Sequence, residues 1–118
     1  YYDVRTTLKK EQDSDTYLKL INMNDGFSFM VQEYYFIGED NTIGRDARNT
    51  ISINDKYLSK FHARILQDEN MYFLEDLKSA NGTYLNDEKI IDAIELKSGD
   101  IIRIGSLKFL FVQGDRDE

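Results

Sequence analysis

The β character of this chain is most evident in residues 63–74, ARILQDENMYFL. Two short apolar runs, 63–66 and 71–74, flank the turn-forming residues Asp68, Glu69 and Asn70. Apolar runs of this length, bounded by such residues, are typical of β-strands joined by a tight turn. The segment therefore predicts two successive strands with a turn between them.

The same pattern recurs along most of the chain. The sequence contains no proline, so glycine, asparagine and aspartate must form every tight turn. No window keeps a 3.6-residue apolar period long enough for a major helix, although residues 55–60 fit one helical turn. Further turns are predicted at 24–26, 38–41, 86–87 and 98–100. The other predicted strands contain Leu18 and Leu20; Phe27, Phe29 and Val31; residues 34–37; Ile51 and Ile53; residues 101–104; and Leu107, Phe109 and Phe111.

Many short strands at this spacing predict an all-β fold, an antiparallel β-sandwich of about ten to eleven strands. Function in such folds usually lies in the loops at one end. A chain of 118 residues is long enough for one domain with its own core and too short for two. We expect the sandwich at residues 17–112, between a polar N-terminal arm at 1–16 and an acidic tail at 113–118.

Composition argues against several classes of function. With 22 acidic and 15 basic residues the net charge is -7, so nucleic acid is not an expected partner. The absence of cysteine excludes a disulfide scaffold and a thiolate metal site. No apolar stretch approaches the roughly 20 residues that span a bilayer, and we expect a cytoplasmic domain that makes no membrane contact itself. Because the chain begins with tyrosine, we expect it to be a piece of a longer protein.

Three polar clusters fall between the predicted strands, and together they carry donors that suit one anion. Arg45 offers a planar fork of donors, and Lys60 offers a point charge. Ser59 and Asn81 offer neutral hydrogen bonds. That set fits a phosphate better than a metal or a nucleophile. The clusters are Gly44-Arg45, Ser59-Lys60-Phe61-His62 and Asn81-Gly82-Thr83.

Five cations lie within one twenty-residue stretch of this acidic chain. They predict a local cationic patch, although scattered solvated charges would give the same sequence pattern. The five are Arg45, Arg48, Lys56, Lys60 and Arg64.

Ser59 and His62 give little support for catalysis. A serine nucleophile needs a third group to orient the imidazole and an oxyanion hole, and the pattern Gly-x-Ser-x-Gly is absent. His62 is the only histidine, which excludes a histidine-based metal site. No acid–base pair, metal cluster or nucleotide loop stands at useful spacing. We therefore expect no enzyme activity, no metal and no cofactor.

An ordered series of short motifs covers most of the chain. They are TIGR at 42–45; Asn49, Ile51 and Ile53; LSKFHA at 58–63; LEDL at 74–77; SANGTYLN at 79–86; GDII at 99–102; and Ile104-Gly105. In this order and spacing they resemble the forkhead-associated (FHA) domain, a β-sandwich module that binds phosphothreonine in partner proteins. The resemblance covers roughly residues 17–112.

The resemblance implies a role for each polar residue of the clusters. Arg45, Ser59 and Lys60 would contact the phosphate, and Asn81 would hydrogen-bond the backbone of the bound peptide. A surface ion pair is the alternative for Arg45, and a solvated side chain the alternative for Lys60. The residues expected to hold the loops are Gly44, His62, Gly82 and Thr83.

Ala80 departs from the family pattern, because many members carry there a hydroxyl or a cation that can touch the phosphate. The site would then depend more heavily on Arg45, Ser59 and Lys60. Threonine would be preferred to serine because its γ-methyl can fill a small apolar gap beside the phosphate, a gain of roughly 1 kcal/mol.

The implied function is phosphothreonine-dependent protein–protein interaction. The expected partners are a phosphothreonine-containing protein and an upstream Ser/Thr protein kinase, and we expect the domain to be a monomer. An alternative is a phosphate-independent interaction domain that uses another face of the sandwich. In addition, Thr6 and Thr7 on the arm are candidate phosphorylation sites that would fold back into the domain's own pocket, a switch used by some small bacterial members of the family.

Overall fold

The computed structural model describes residues 16–21 and 32–114. In these two ranges the chain forms eleven β-strands and no helix. Most of the predicted N-terminal arm, the turn at 24–26, the strand around Phe29 and the acidic residues 115–118 lie outside the described ranges. The strands are β1 Tyr17–Leu20, β2 Gln32–Tyr35, β3 Asp40–Gly44, β4 Ile51–Ser52, β5 Ala63–Asp68, β6 Met71–Asp76, β7 Thr83–Leu85, β8 Glu88–Lys89, β9 Ile94–Leu96, β10 Ile101–Ile104 and β11 Leu107–Val112.

The strands form two sheets, which confirms the predicted β-sandwich. One sheet has six strands in the order β2-β1-β11-β10-β7-β8, and the other has five in the order β4-β3-β5-β6-β9. The assigned strand pairs are antiparallel except that β4 runs parallel to β3, with Ile43 opposite Ile51. The chain therefore has to loop back over residues 45–50 before it enters β4.

The core lies between the two sheets, because alternate side chains of the central strands point inward. Phe109 and Phe111 of β11 are fully buried, as are Ile102 and Ile104 of β10. Burying one such side chain stabilises a fold by roughly 1.5–3 kcal/mol. Aromatic rings pack against each other in one part of the core, where the ring centroids of Tyr72 and Phe111 lie 5.5 Å apart in an edge-on contact. The loops therefore rest on a rigid base.

Several local predictions needed correction. The predicted turn at 38–41 is wrong over its last two residues, because Asp40 and Asn41 begin β3. Asn41 is buried, and its side-chain oxygen accepts a hydrogen bond from Ile37 N at 2.9 Å. Residues 55–60 contain a turn closed by Leu58 N and Asp55 O at 2.9 Å, and no helical turn. Strands β7, β8 and β9 had no counterpart in the apolar pattern.

The predicted turn at Asn86 and Asp87 joins β7 to β8. Both residues have positive φ, 50° and 73°, as a two-residue hairpin turn requires. The pair Asn81-Gly82 carries a similar turn signal but makes no hairpin. It lies instead in the connection between β6 and β7, which belong to different sheets.

Candidate functional site

Backbone hydrogen bonds join three loops, which we call the loop cluster. The loops are 45–50 between β3 and β4, 53–62 between β4 and β5, and 77–82 between β6 and β7. The amide of Asp46 donates to Lys60 O at 3.1 Å, and the amide of Leu77 donates to His62 O at 2.8 Å. The residues predicted to contact a phosphopeptide are all on these loops.

Three successive carbonyls at the centre of the cluster accept donors from the two outer loops. The Tyr57 carbonyl accepts from Asn81 Nδ2 at 3.0 Å. The next carbonyl, that of Leu58, accepts from Arg45 Nε at 3.1 Å, and that of Ser59 accepts from the Arg45 amide at 3.0 Å. Because these bonds come from both sides, the backbone of 57–59 fixes where Arg45 and Asn81 stand.

Arg45 is exposed and keeps the tip of its side chain available. Its Nε donates a hydrogen bond to the Leu58 carbonyl, but no carboxylate pairs with its guanidinium among the described residues. Within the same ranges, the ion pair considered as an alternative for Arg45 is not present. Lys60 is also exposed and has no salt bridge in the described part of the chain. Both cations are therefore open to an added anion.

Arg48, by contrast, is neutralised within its own loop. Its Nε and Nη2 bond the two carboxylate oxygens of Asp46 at 2.9 and 3.0 Å, and its guanidinium lies 5.1 Å from the centre of the Phe61 ring. The side-chain and backbone hydrogen bonds from Arg48 hold the pKa of the Asp46 carboxyl well below its usual range. Asp46 therefore stays ionised and remains the partner of Arg48 at any ordinary pH.

The remaining cations of the predicted patch are engaged as well. Arg64 Nε lies 2.9 Å from Glu75 Oε1, and Lys56 Nζ lies 5.2 Å from the centre of the Tyr57 ring. The cationic stretch thus separates into paired or stacked residues and the two open ones, Arg45 and Lys60.

His62 connects two of the loops through its ring. It is fully buried, its Nδ1 accepts from the Ser59 amide at 3.1 Å, and its Nε2 lies 2.9 Å from the carbonyl of Gly82. A ring nitrogen that accepts from an N–H carries no proton, so the proton is on Nε2 and is donated to Gly82. The ring nitrogens bond backbone groups and leave the Ser59 hydroxyl alone, which does not resemble a catalytic pair.

The Ser59 hydroxyl joins the same two loops at a second point. Its oxygen accepts a hydrogen bond from the Ala80 amide at 2.9 Å. Because the hydroxyl accepts in this bond, its own proton remains available to another acceptor. Ala80 contributes its backbone to the cluster, and its methyl group has no polar function.

Gly44 is the point at which β3 passes closest to the loop cluster. A Cβ atom built on it would lie 2.2 Å from Lys60 O and 2.8 Å from Asn49 Nδ2. The buried Asn49 occupies this position to bridge two carbonyls, that of Asp46 at 2.8 Å and that of Lys60 at 2.7 Å. The glycine before Arg45 is therefore required by close approach of the backbone.

A carboxylate that sequence reasoning missed organises the third loop. Asp76 Oδ1 accepts from the hydroxyls of Ser79 and Thr83, each at 2.6 Å, and Oδ2 accepts from the Ser79 amide at 3.1 Å. Ser79 Oγ in turn accepts from the Gly82 amide at 2.9 Å, where the chain turns with φ of 86°. An aspartate three residues before a serine is a turn pattern that could have shown this network.

These hydrogen bonds change the acidity of Asp76. Partial burial raises the pKa of its carboxyl, but the bonds from Ser79 and Thr83 outweigh burial and hold the pKa below its usual value. The carboxylate is therefore the form that the loop requires.

No group of three or more histidine, aspartate or glutamate side chains able to hold a metal is found within residues 16–21 and 32–114. Over the same residues, the structure contains no helix of a length and apolarity that would cross a bilayer.

A two-sheet sandwich with a polar loop cluster at one end is the architecture of a β-sandwich recognition domain. The sequence pattern of the FHA domain matches residues 41–105, more than half of the chain. The chain therefore belongs to the FHA domain family, as the order of its motifs predicted.

Two kinds of similar protein support this assignment. FhaB of Mycobacterium tuberculosis is 40% identical over 63 residues, which are 53% of this chain and 41% of FhaB. The chain thus spans less than half the length of this relative. A solved domain from work on phosphothreonine-dependent FHA domain interactions is 28% identical, with a TM-score of 0.73 over 86% of this chain and 98% of that one.

A second solved structure is similar to a comparable degree. The FhaA FHA domain, complexed with the intracellular domain of Rv3910, is 29% identical and has a TM-score of 0.70. The match covers 82% of this chain and 99% of the FhaA chain.

Proposed function

We propose that this domain binds phosphothreonine in partner proteins and so reads the activity of a Ser/Thr protein kinase. The observation that carries the proposal is Arg45, whose Nε is fixed to the Leu58 carbonyl while its outer nitrogens meet no carboxylate in the described part of the chain. A guanidinium held in this way presents a fork that matches a phosphate. The similar solved domain from work on phosphothreonine-dependent FHA domain interactions supports the choice of ligand.

Ser59 and Lys60 complete the phosphate contacts in this proposal. The Ser59 hydroxyl accepts from the Ala80 amide, so it can donate its own proton to a phosphate oxygen. Lys60, exposed and without a salt bridge among the described residues, adds a mobile positive charge at the edge of the pocket. Ala80 adds no side-chain donor, and the affinity therefore depends most on Arg45.

Asn81 positions the peptide backbone. One N–H of its side-chain amide donates a hydrogen bond to the Tyr57 carbonyl at 3.0 Å. The other N–H and the side-chain oxygen remain for one acceptor and one donor of an extended peptide. Phosphate binding and backbone binding are thus linked through the carbonyls of residues 57–59.

The wider setting of the domain is also proposed. Partners would be phosphothreonine proteins, the kinase would act in the same cytoplasmic compartment, and the domain would act as a monomer. The autoregulatory role of Thr6 and Thr7 rests on sequence alone, because both lie outside the described residues. Kinase treatment of the chain followed by peptide titration tests it: phosphorylation of these threonines that leaves peptide affinity unchanged would remove the idea.

The central test is calorimetric titration with one peptide in three forms, carrying phosphothreonine, phosphoserine or unmodified threonine. We expect the phosphothreonine form to bind at least a hundredfold more tightly than the unmodified one, because three charged or polar contacts are lost together. The phosphoserine form should bind about fivefold more weakly, for the missing methyl. Equal binding of all three would favour the phosphate-independent interaction domain instead.

A further inference from the structure

The outer face of the six-stranded sheet carries a cationic row that crosses four strands. Lys89 of β8 is opposite Tyr84 of β7, Tyr84 is opposite Arg103 of β10, and Arg103 is opposite Lys108 of β11. Residues opposite each other share a face of the sheet. The neighbours of Arg103 in β10, Ile102 and Ile104, are fully buried, so the row faces outward. At the usual strand separation it extends over roughly 14 Å.

The three cations of this row have no carboxylate partner among the described residues. Among the cations of the described residues, Arg48, Arg64 and Lys97 are the ones that lie in salt bridges. Arg103 instead stacks on Tyr84, with its guanidinium carbon 3.9 Å from the ring centre. Stacking holds the guanidinium flat while its edge N–H groups remain directed away from the ring, available to a carboxylate.

The row is continuous with the loop cluster. The aliphatic part of Lys89 lies across Gly82, because a Cβ placed on that glycine would be 2.9 Å from Lys89 Cε and 3.5 Å from the Tyr84 ring. Gly82 follows Asn81, the residue proposed to hold the peptide backbone. A peptide that leaves the pocket past Asn81 therefore meets Lys89 first and can continue over Arg103 and Lys108.

We propose that the cationic row binds acidic side chains in the flank of the same phosphothreonine peptide, a second determinant of specificity that rests on the proposed function. An extended chain advances about 3.3 Å per residue, so roughly four residues cross the row, and every second side chain faces it. Two carboxylates at alternate positions would match its cations. A nucleic acid is the poorer ligand, because the net charge of -7 repels a long polyanion while a short acidic segment meets only the local cations.

The experiment compares phosphothreonine peptides that share one core and differ only in a four-residue flank, acidic or glutamine-substituted, placed on either side of the core. For the unaltered chain we expect one acidic flank to tighten binding by about three- to tenfold at low salt, the range for a few exposed ion pairs. Arg103→Gln and Lys108→Gln should each reduce this gain and together remove it, while binding of the glutamine peptide stays unchanged. Lys97→Gln changes the charge equally just after β9, a strand of the other sheet, and should keep the gain.

The outcomes separate this inference from the proposed function. If the glutamine peptide binds no better than its unphosphorylated form, the proposed function fails and this inference fails with it. If the phosphorylated glutamine peptide binds but neither acidic flank increases affinity, only the cationic row is refuted. The same holds if the acidic flank still increases affinity in the double variant. A single-stranded oligonucleotide that binds through Arg103 and Lys108, with no preference for acidic peptides, would also overturn the proposal.

Discussion

The sandwich core and the loop cluster are both tightly held, but by different interactions. In the core, side chains such as Phe109 and Ile102 are fully buried and contact other apolar groups. In the loop cluster, backbone carbonyls and amides are joined by side chains such as His62 and Asn49, while Arg45 remains exposed.

The difference separates stability from binding. A change in the core alters the free energy of unfolding and affects binding only through it. In the loop cluster, hydrogen bonds fix the backbone, and the exposed cations contribute little to folding because exposed charges are well solvated. Substitutions in the cluster can therefore be sorted by whether they move the backbone or remove a ligand contact.

The largest expected effect is at Gly44, where a substitution should displace the backbone and abolish binding at the same time. A methyl group there would lie 2.2 Å from Lys60 O, so Gly44→Ala should cost about 2–3 kcal/mol in unfolding free energy and abolish phosphopeptide binding. Gly38→Ala is the matched control, since Gly38 has φ of 71° but no atom within 4 Å of an added Cβ. It should cost about 1 kcal/mol and leave affinity unchanged. Urea unfolding and calorimetry measure both, and normal affinity in Gly44→Ala would contradict the close approach.

Arg45→Lys should separate binding from stability most clearly. Lysine keeps the charge but loses the planar fork and the Nε bond to Leu58, so affinity for a phosphothreonine peptide should fall about ten- to a hundredfold. The thermal midpoint should hardly change. Arg48→Lys, which alters an arginine already paired with Asp46, should change affinity by less than about twofold. Equal losses of affinity in the two variants would contradict the conclusion that Arg45 is open to the ligand while Arg48 is held by Asp46.

Asp76 predicts a pH dependence of stability. Its pKa is lower in the folded chain, so its contribution is present above the unfolded pKa, near pH 4, and is lost as pH falls through the folded pKa. Asp76→Asn removes charge-assisted bonds to Ser79 and Thr83 and should cost about 1.5–3 kcal/mol at pH 7. The difference in unfolding free energy between variant and parent should therefore narrow as the pH falls below the unfolded pKa of the carboxyl. Urea titrations of variant and parent at pH 7 and at low pH measure this difference, with the exposed Asp92→Asn as control. A difference in unfolding free energy that does not change with pH would refute the prediction.

Lys60→Gln should have the smallest effect of the four. An exposed point charge at the rim of the pocket should contribute about threefold in affinity at low salt, less at high salt, and nothing to stability. Lys56→Gln, in the same loop but placed over Tyr57, serves as control and should leave affinity unchanged. An effect of Lys60→Gln that does not weaken with salt would indicate a buried contact instead.

The architecture could be predicted from sequence where strands are long enough to show a pattern. Strands β5, β6 and β11 each have six residues and alternate buried with less buried positions, so their apolar period is visible. Strands β8 and β9, with two and three residues, are too short for any period. Asn41 misled the prediction because a buried asparagine that bonds the backbone of Ile37 has the same sequence signal as a turn.

The place of the candidate ligand-binding residues on the loops could be predicted better than the side chains that support those loops. Arg45, Ser59, Lys60 and Asn81 belong to motifs whose order is visible in the sequence, although their part in binding phosphate stays a prediction. The pairing of Arg48 with Asp46 was not evident, because several neighbouring cations look alike until the loop backbone is fixed. Asp76 was missed although its bond to Ser79 follows a local turn spacing, because its second hydroxyl partner, Thr83, reaches it only once β7 is in place.

The row of carbonyls at residues 57–59 has a kinetic consequence. Because Arg45 and Asn81 are already bonded to it from opposite sides, little conformational freedom remains to be lost when a ligand arrives. Association should then occur in one step at a rate set by encounter, with no slow loop closure before it. Differences in affinity among ligands should then appear as differences in residence time and not in association rate.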